Sequence, residues 1–235
     1  MNKLMVVSGG TKGIGRAIIE KFASQGFDII TCARNSTDLE ALVKTFFTKL
    51  PDISLLTFTA DLSNKTDRKA FIDFIHQQNR PVDVLVNNTG VFLPGQIHNE
   101  PEGTLETMIE TNLYSAYDLT RGVIGGMMSQ RSGYIINVCS TASIMAYPNG
   151  GSYGISKFAL LGMSKTLREE MKSYGVKVTA ILPGATFTDS WAGVELPQSR
   201  FMHVNDIAEL LYACYKLSPS AVVEEILMRP MEGDI

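Results

Sequence analysis

Cysteine and histidine are scarce in this chain. Cys32, Cys139 and Cys214 are the three cysteines among 235 residues, and His76, His98 and His203 are the three histidines. They are scattered and form no C-x-x-C pair, which excludes a disulfide framework and gives no metal constellation. An excess of charge of one sign is also missing. Against 24 Asp and Glu stand 21 Lys and Arg, a formal net charge of −3 with no block of like charges. Such a balance argues against nucleic-acid binding and against a polybasic membrane surface. Long hydrophobic runs are absent too, the longest covering about five to eight residues where a membrane helix needs ~20. Lys3 and the Leu4–Val7 run are too short for a secretory signal, so a cytoplasmic setting is expected. With 45% hydrophobic and 19% charged residues, the chain has the composition of a folded domain rather than a disordered one.

What is present is alternation. Leu4–Val7, Ile29–Cys32, Leu55–Thr59, Val82–Val86, Tyr134–Cys139, Val176–Leu182 and Val222–Leu227 read as strands, rich in Val, Ile and Thr and bounded by Gly, Pro, Asn or Asp. Helical patterns lie between them: one from Gly15 to a stop at Gly26, then Thr37–Leu50, Thr66–Gln78, Thr104–Ser129, Tyr153–Tyr174 and Asn205–Leu217. Strand–helix alternation predicts a parallel sheet with crossover helices on both faces. The strands are nearly continuous apolar runs, which suits a sheet buried on both sides. No linker or repeat interrupts the pattern, so residues 1–235 read as one doubly wound α/β domain of the Rossmann type with seven strands. Ligands in such sheets bind beyond the carboxyl ends of the strands, at the point where strand order reverses.

The segments after the strands carry the chemistry. The first strand runs into Ser8-Gly9-Gly10-Thr11-Lys12-Gly13-Ile14-Gly15 and a helix. Glycines there allow a tight turn and close approach of backbone to a pyrophosphate, which the helix N-terminus favours. The second strand ends at Cys32-Ala33-Arg34-Asn35 with no carboxylate before Asp38. Arg34 and Lys12 are two cations suited to a 2′-phosphate, and they predict NADP(H) rather than NAD(H). Asp61-Leu62 ends the third strand, where the carboxylate can accept the adenine amino group. Asn87-Asn88-Thr89-Gly90 ends the fourth, passing backbone beside the adenosine ribose.

Tyr153-Gly154-Ile155-Ser156-Lys157 places a phenol and an ammonium at i and i+4, on one helix face. A free tyrosine has a pKa near ~10. Lys157 is expected to lower that value and make Tyr153 a general acid in reduction and a general base in oxidation. Thirteen residues earlier, Ser140 ends a strand where its hydroxyl can orient a substrate carbonyl. Asn112, inside the long helix, is expected to disturb backbone pairing and to hold a water linked to Lys157.

Together these residues make the chain resemble the short-chain dehydrogenase/reductase family over essentially its whole length. The matching pieces are Ser8–Gly15, Asp61-Leu62, Asn87–Gly90, Asn112, Ser140, Tyr153-x-x-x-Lys157 and Pro183-Gly184-x-x-x-Thr188. The resemblance implies a catalytic tetrad of Asn112, Ser140, Tyr153 and Lys157. It implies a cofactor site of Gly9, Thr11, Lys12, Gly13, Ile14, Gly15, Arg34, Asp61, Leu62, Asn88, Gly90, Pro183, Gly184, Thr186 and Thr188. Lys157 then bonds the nicotinamide ribose and Thr188 the carboxamide. A homodimer or homotetramer built on the long helices is also implied. Ser8 stands where Thr is usual, and Thr89 where Ala is usual.

Within that family, Pro183-Gly184-Ala185-Thr186-Phe187-Thr188-Asp189-Ser190-Trp191 and the tail Val222–Pro230 are similar to bacterial sepiapterin reductases. Trp191 would then line the substrate pocket with Ser140 and Tyr153. The rival resemblance is to 3-oxoacyl-acyl-carrier-protein reductases, whose carrier docks on surface arginines; Arg131 matches one such position and Tyr174 replaces the other. The resulting expectation is an NADPH-dependent carbonyl reductase acting on a small-molecule ketone or its alcohol. A non-catalytic NADP(H) sensor is the alternative of a different class, disfavoured because the whole tetrad is present.

Overall fold

The computed structural model describes every residue except Met1, Asp189, Ser190 and Ala192. Seven strands form one all-parallel sheet: β1 (Lys3–Ser8), β2 (Phe27–Ala33), β3 (Leu55–Thr59), β4 (Val84–Asn87), β5 (Gly133–Val138), β6 (Val176–Pro183) and β7 (Glu225–Met228). Their spatial order is β3-β2-β1-β4-β5-β6-β7. The order reverses between β1 and β4, so the cleft beyond their carboxyl ends is where a ligand is received.

The helices are α1 (Gly13–Ala23), α2 (Ser36–Lys49), α3 (Lys65–Gln77), α4 (Thr104–Ile109), α5 (Ser115–Gln130), α6 (Gly151–Met171) and α7 (Val204–Tyr215). Strand alternation divides them between the two faces. Met5 and Val7 point into a core with Ile18 and Phe22 of α1, Leu42 and Phe46 of α2, and Ile207 and Leu211 of α7. Leu4 and Val6 point the other way, to Phe71 and Ile75 of α3, Leu119 and Val123 of α5, and Leu167 and Met171 of α6. Each fully buried side chain of this size contributes roughly 1.5–3 kcal/mol. Among the described residues, no helix is long and apolar enough to cross a membrane.

Two departures from the sequence pattern have physical causes. β4 starts at Val84 rather than Val82: Asp83 still bonds both neighbouring strands through its backbone, to Leu4 at 2.9 Å and Tyr134 at 3.0 Å, but its carboxylate rather than its carbonyl accepts the Leu4 N–H at 2.8 Å. The long helix expected over Thr104–Ser129 is interrupted by a π-helical turn, Glu110–Tyr114, which separates α4 from α5. Such turns insert one residue and redirect a side chain. Here the redirected residue is Asn112.

Candidate active site

The turn after β1 is shaped as a cradle. Gly9 and Gly13 take φ of 70° and 54°, the left-handed region that favours glycine. A Cβ on Gly15 would collide with the Gly9 carbonyl and the Asn88 amide, so backbone lies where a side chain would. Asn88 Nδ2 donates to the carbonyls of Ser8 and Gly9 at 3.0 and 2.9 Å. The Ser8 hydroxyl accepts from the N–H groups of Asn88 and Thr89, both at 3.0 Å, so the serine that stands where Thr is usual ties β1 to β4. α1 begins with no side-chain cap and no acid in its first turn. Its opening N–H groups therefore face the glycine turn and fit an anionic diphosphate.

Thr188 closes this cradle from the far side. A Cβ on Gly13 would sit 3.1 Å from Thr188 Cγ2. Thr186 is buried and donates its hydroxyl to the Gly184 carbonyl at 3.0 Å, shaping the turn that follows Pro183. Arg34 is exposed just after the end of β2. Lys12 lies 3.2 Å from Asp38, so its charge is shared with a carboxylate that the linear sequence left apart. Asp61 accepts from the N–H and hydroxyl of Ser63 at 3.0 and 2.8 Å, shaping the turn beside buried Leu62.

The proposed tetrad converges at the carboxyl ends of β4 and β5. Asn112 is fully buried; its Oδ1 accepts from Val91 N–H at 2.7 Å, and its Nδ2 donates to the Val91 carbonyl at 3.0 Å and to the Ser156 hydroxyl at 2.9 Å. Lys157 is buried and donates to the Val138 carbonyl at 3.0 Å. Gly90 lies between the two: a Cβ there would be 3.3 Å from Asn112 Oδ1 and 3.4 Å from Lys157 Nζ. Ser140 caps a short 3-10 turn, its hydroxyl accepting from Ala142 N–H at 3.1 Å.

The electrostatics differ from the sequence expectation. Burial raises the Tyr153 phenol above its usual value, and the nearby Ser140 side chain offsets only part of that. Burial also lowers the Lys157 ammonium below its usual range. Lys157 Nζ sits 5.7 Å from the Tyr153 ring centre, bonded to a backbone carbonyl. The chain's own groups thus hold Tyr153 protonated rather than drawing its pKa down, because both groups share one desolvated pocket.

Several neighbours were invisible as site residues in the sequence. Phe92 packs edge-on against Tyr153 at 4.9 Å, and Tyr147 stands close enough for its own phenol, pushed up to about 12 mainly by burial, to feel Tyr153. Ser156 occupies the i+3 position inside the Tyr-x-x-x-Lys span and binds Asn112. Trp191 packs edge-on against Phe201 at 5.1 Å and lines a cavity of about 540 Å³ with Phe187, Thr188, Gly13 and Arg16. Those neighbours belong to the segment after β6 and to α1. Asp189 and Ser190, which precede Trp191, lie outside the described residues.

Comparison with known proteins places the whole chain rather than its individual side chains. Residues 3–198 match the model of the short chain dehydrogenase family. A sepiapterin reductase of Chlorobaculum tepidum is 31% identical over 100% of this chain and 99% of that protein. A 3-oxoacyl-[acyl-carrier-protein] reductase of Staphylococcus epidermidis is 30% identical over 88% of this chain and 89% of its own length. Among solved structures, a metagenomic short-chain oxidoreductase in complex with NADP superposes with a TM-score of 0.84, at 27% identity and 97% coverage of both chains.

Proposed function

Because the chain belongs to the short chain dehydrogenase family, we propose that it is an NADPH-dependent carbonyl reductase whose proton donor is Tyr153. The observation that carries this is the convergence of Tyr153 and Lys157 from α6, the Lys157 ammonium 5.7 Å from the Tyr153 ring centre, with Asn112 bonded to Val91 and Ser156 behind them. Gly9, Gly13 and Gly15 of the cradle would hold NADPH, which would provide the hydride.

The chain's residues do the rest. Ser140 and Tyr153 receive the carbonyl oxygen between their hydroxyls, which fixes its orientation. As the carbonyl carbon gains the hydride, Tyr153 passes its proton to the oxygen and the alcohol forms. Two hydroxyls aimed at the developing alkoxide stabilise it as preorganised donors. Burial keeps Tyr153 protonated before the transfer, and Lys157 stabilises the phenolate left behind. Asn112 holds the Val91 backbone and Ser156, which keeps the walls of the pocket fixed. Arg34 would hold the 2′-phosphate of NADPH and Thr188 would bond its carboxamide.

A sepiapterin or diketone substrate is favoured over an acyl-carrier thioester. Arg131, the residue suited to a carrier protein, is the left-handed cap of α5 and donates to the Ser173 carbonyl at 2.8 Å, so a structural bond already engages it. The test follows NADPH consumption with sepiapterin, diacetyl and an acetoacetyl thioester in parallel. Tyr153→Phe is expected to lower turnover by about 100-fold or more on the best of them. Arg34→Ala is expected to narrow the preference for NADPH over NADH about tenfold. Near-wild-type turnover in Tyr153→Phe would sink the mechanism, and thioester preference would move the substrate to acyl chemistry.

A further inference from the structure

α6 carries Tyr153 and Lys157, yet it begins without local help. Gly150 provides no side-chain cap and the first turn contains no acid. A helix start leaves N–H groups without partners and favours a carboxylate. That carboxylate comes from Glu100, 52 residues earlier: Oε1 accepts from Ser152 N–H at 2.9 Å and Oε2 accepts from the Ser152 hydroxyl. Ser152 is itself buried and immediately precedes Tyr153.

The same segment grips the start of α6 at two more points. Gly95 N–H donates to the Asn149 carbonyl at 3.1 Å, with Gly95 and Gly150 forming an isolated parallel bridge, and Gln96 Nε2 donates to Asn149 Oδ1 at 3.1 Å. Space for Glu100 is reserved. A Cβ on Gly95 would lie 2.6 Å from its Cγ, and one on Gly151 would collide with its Oε1. At its other end the segment meets the tetrad: Asn112 holds both polar groups of the Val91 backbone, and Phe92 rests on the Tyr153 ring. Residues 91–100 are thus a strap running from Asn112 to the residue before Tyr153.

Resting on the reductase assignment above, we propose that Glu100 is a positioning residue for the proton transfer: it anchors the first turn of α6 at Ser152 and thereby fixes the Tyr153 side chain that follows, against Phe92 of the same strap. Glu100 acts only through Ser152. Loss of the anchor lets the first turn fray, and one residue of unwinding shifts the chain by about 1.5 Å along the axis.

Glu100→Ala is expected to lower kcat for ketone reduction about 10- to 100-fold, the scale of a misplacement near 1 Å. The NADPH dissociation constant, to which the β1–α1 turn, Arg34 and Thr188 contribute besides Lys157 one turn further into α6, is expected to change less than about twofold. Glu100→Gln keeps an acceptor for Ser152 N–H and is expected to recover most of the rate. Hydrogen exchange should quicken at the opening amides of α6 and not in α1. An unchanged kcat, or equal losses of kcat and NADPH affinity without recovery in Glu100→Gln, overturns the proposal. Should Glu100→Ala not fold, Ser152→Ala removes one of the two bonds. Faster exchange at the α6 start with a several-fold loss of kcat then supports the anchor, and no change in either overturns it. If the wild-type chain reduces no ketone at all, the reductase assignment fails, and the exchange comparison alone supports or overturns the anchoring of α6.

Discussion

A single methyl group measures how tightly the cofactor cradle is built. Gly15 faces the Gly9 carbonyl and the Asn88 amide so closely that a Cβ has no room, and both neighbours are themselves fixed by hydrogen bonds to β1 and β4. Gly15→Ala is therefore expected to destabilise the fold by about 1–3 kcal/mol, the range of overpacking. It is also expected to weaken NADPH binding, because the turn must widen. Melting with and without NADPH checks both effects; a variant that keeps its midpoint and its NADPH-induced shift would refute the cradle. The glycines could be read in the sequence, since a strand–glycine turn–helix is a local pattern. The protonation of Tyr153 could not. Its spacing to Lys157 is local, but the direction of its pKa depends on how much water the pocket admits.

At the scale of elements, the π turn Glu110–Tyr114 turns Asn112 inward, and a buried arginine holds that turn in place. Arg68 of α3 donates to Asp118 of α5 at 2.7 Å and to the carbonyls of Leu62 and Ser63 at 3.0 Å, and it lies 2.8 Å from Glu110. It therefore joins the Asp61-Leu62 turn to the turn bearing Asn112. Arg68→Met leaves two carbonyls without their donor, while the partly exposed Asp118 and Glu110 carboxylates turn to water, and is expected to cost about 2–3 kcal/mol. Urea unfolding checks this, and a loss below about 1 kcal/mol would reduce Arg68 to an ordinary surface charge. In the sequence Arg68 reads as one more polar residue in an amphipathic helix. Only the packing of α3 on α5 removes it from water.

Across the whole molecule, the scarce cysteines titrate as parts of the core. Burial pushes Cys32 up to about 12 and Cys139 up to about 11, from an ordinary thiol value of 9.0. Both folded values lie above the unfolded one, so the fold binds these protons more tightly. The stability they contribute is complete below pH 9.0 and is lost as pH rises toward about 11 to 12. The slope is about 1.4 kcal/mol per pH unit for each thiol. Unfolding midpoints measured on both sides of this window should fall steeply above pH 9.0, and less steeply in Cys32→Ala. Equal slopes in the two proteins would show that Cys32 carries none of the effect.

By itself the sequence determined the alternation of strands and helices, the seven-stranded parallel sheet, the glycine turn and the Tyr153-x-x-x-Lys157 spacing on one helix. Each of these is written within a few neighbouring positions, where periodicity, turn chemistry and helical spacing act directly. The tertiary structure alone decided that Asp38 shares the charge of Lys12, that Asn112 sits on a π turn, and that Glu100 caps the helix bearing Tyr153. It also decided that burial, not Lys157, dominates the Tyr153 phenol. Those outcomes depend on which distant segments meet and on how completely they exclude water, and neither quantity has a local signature in the chain.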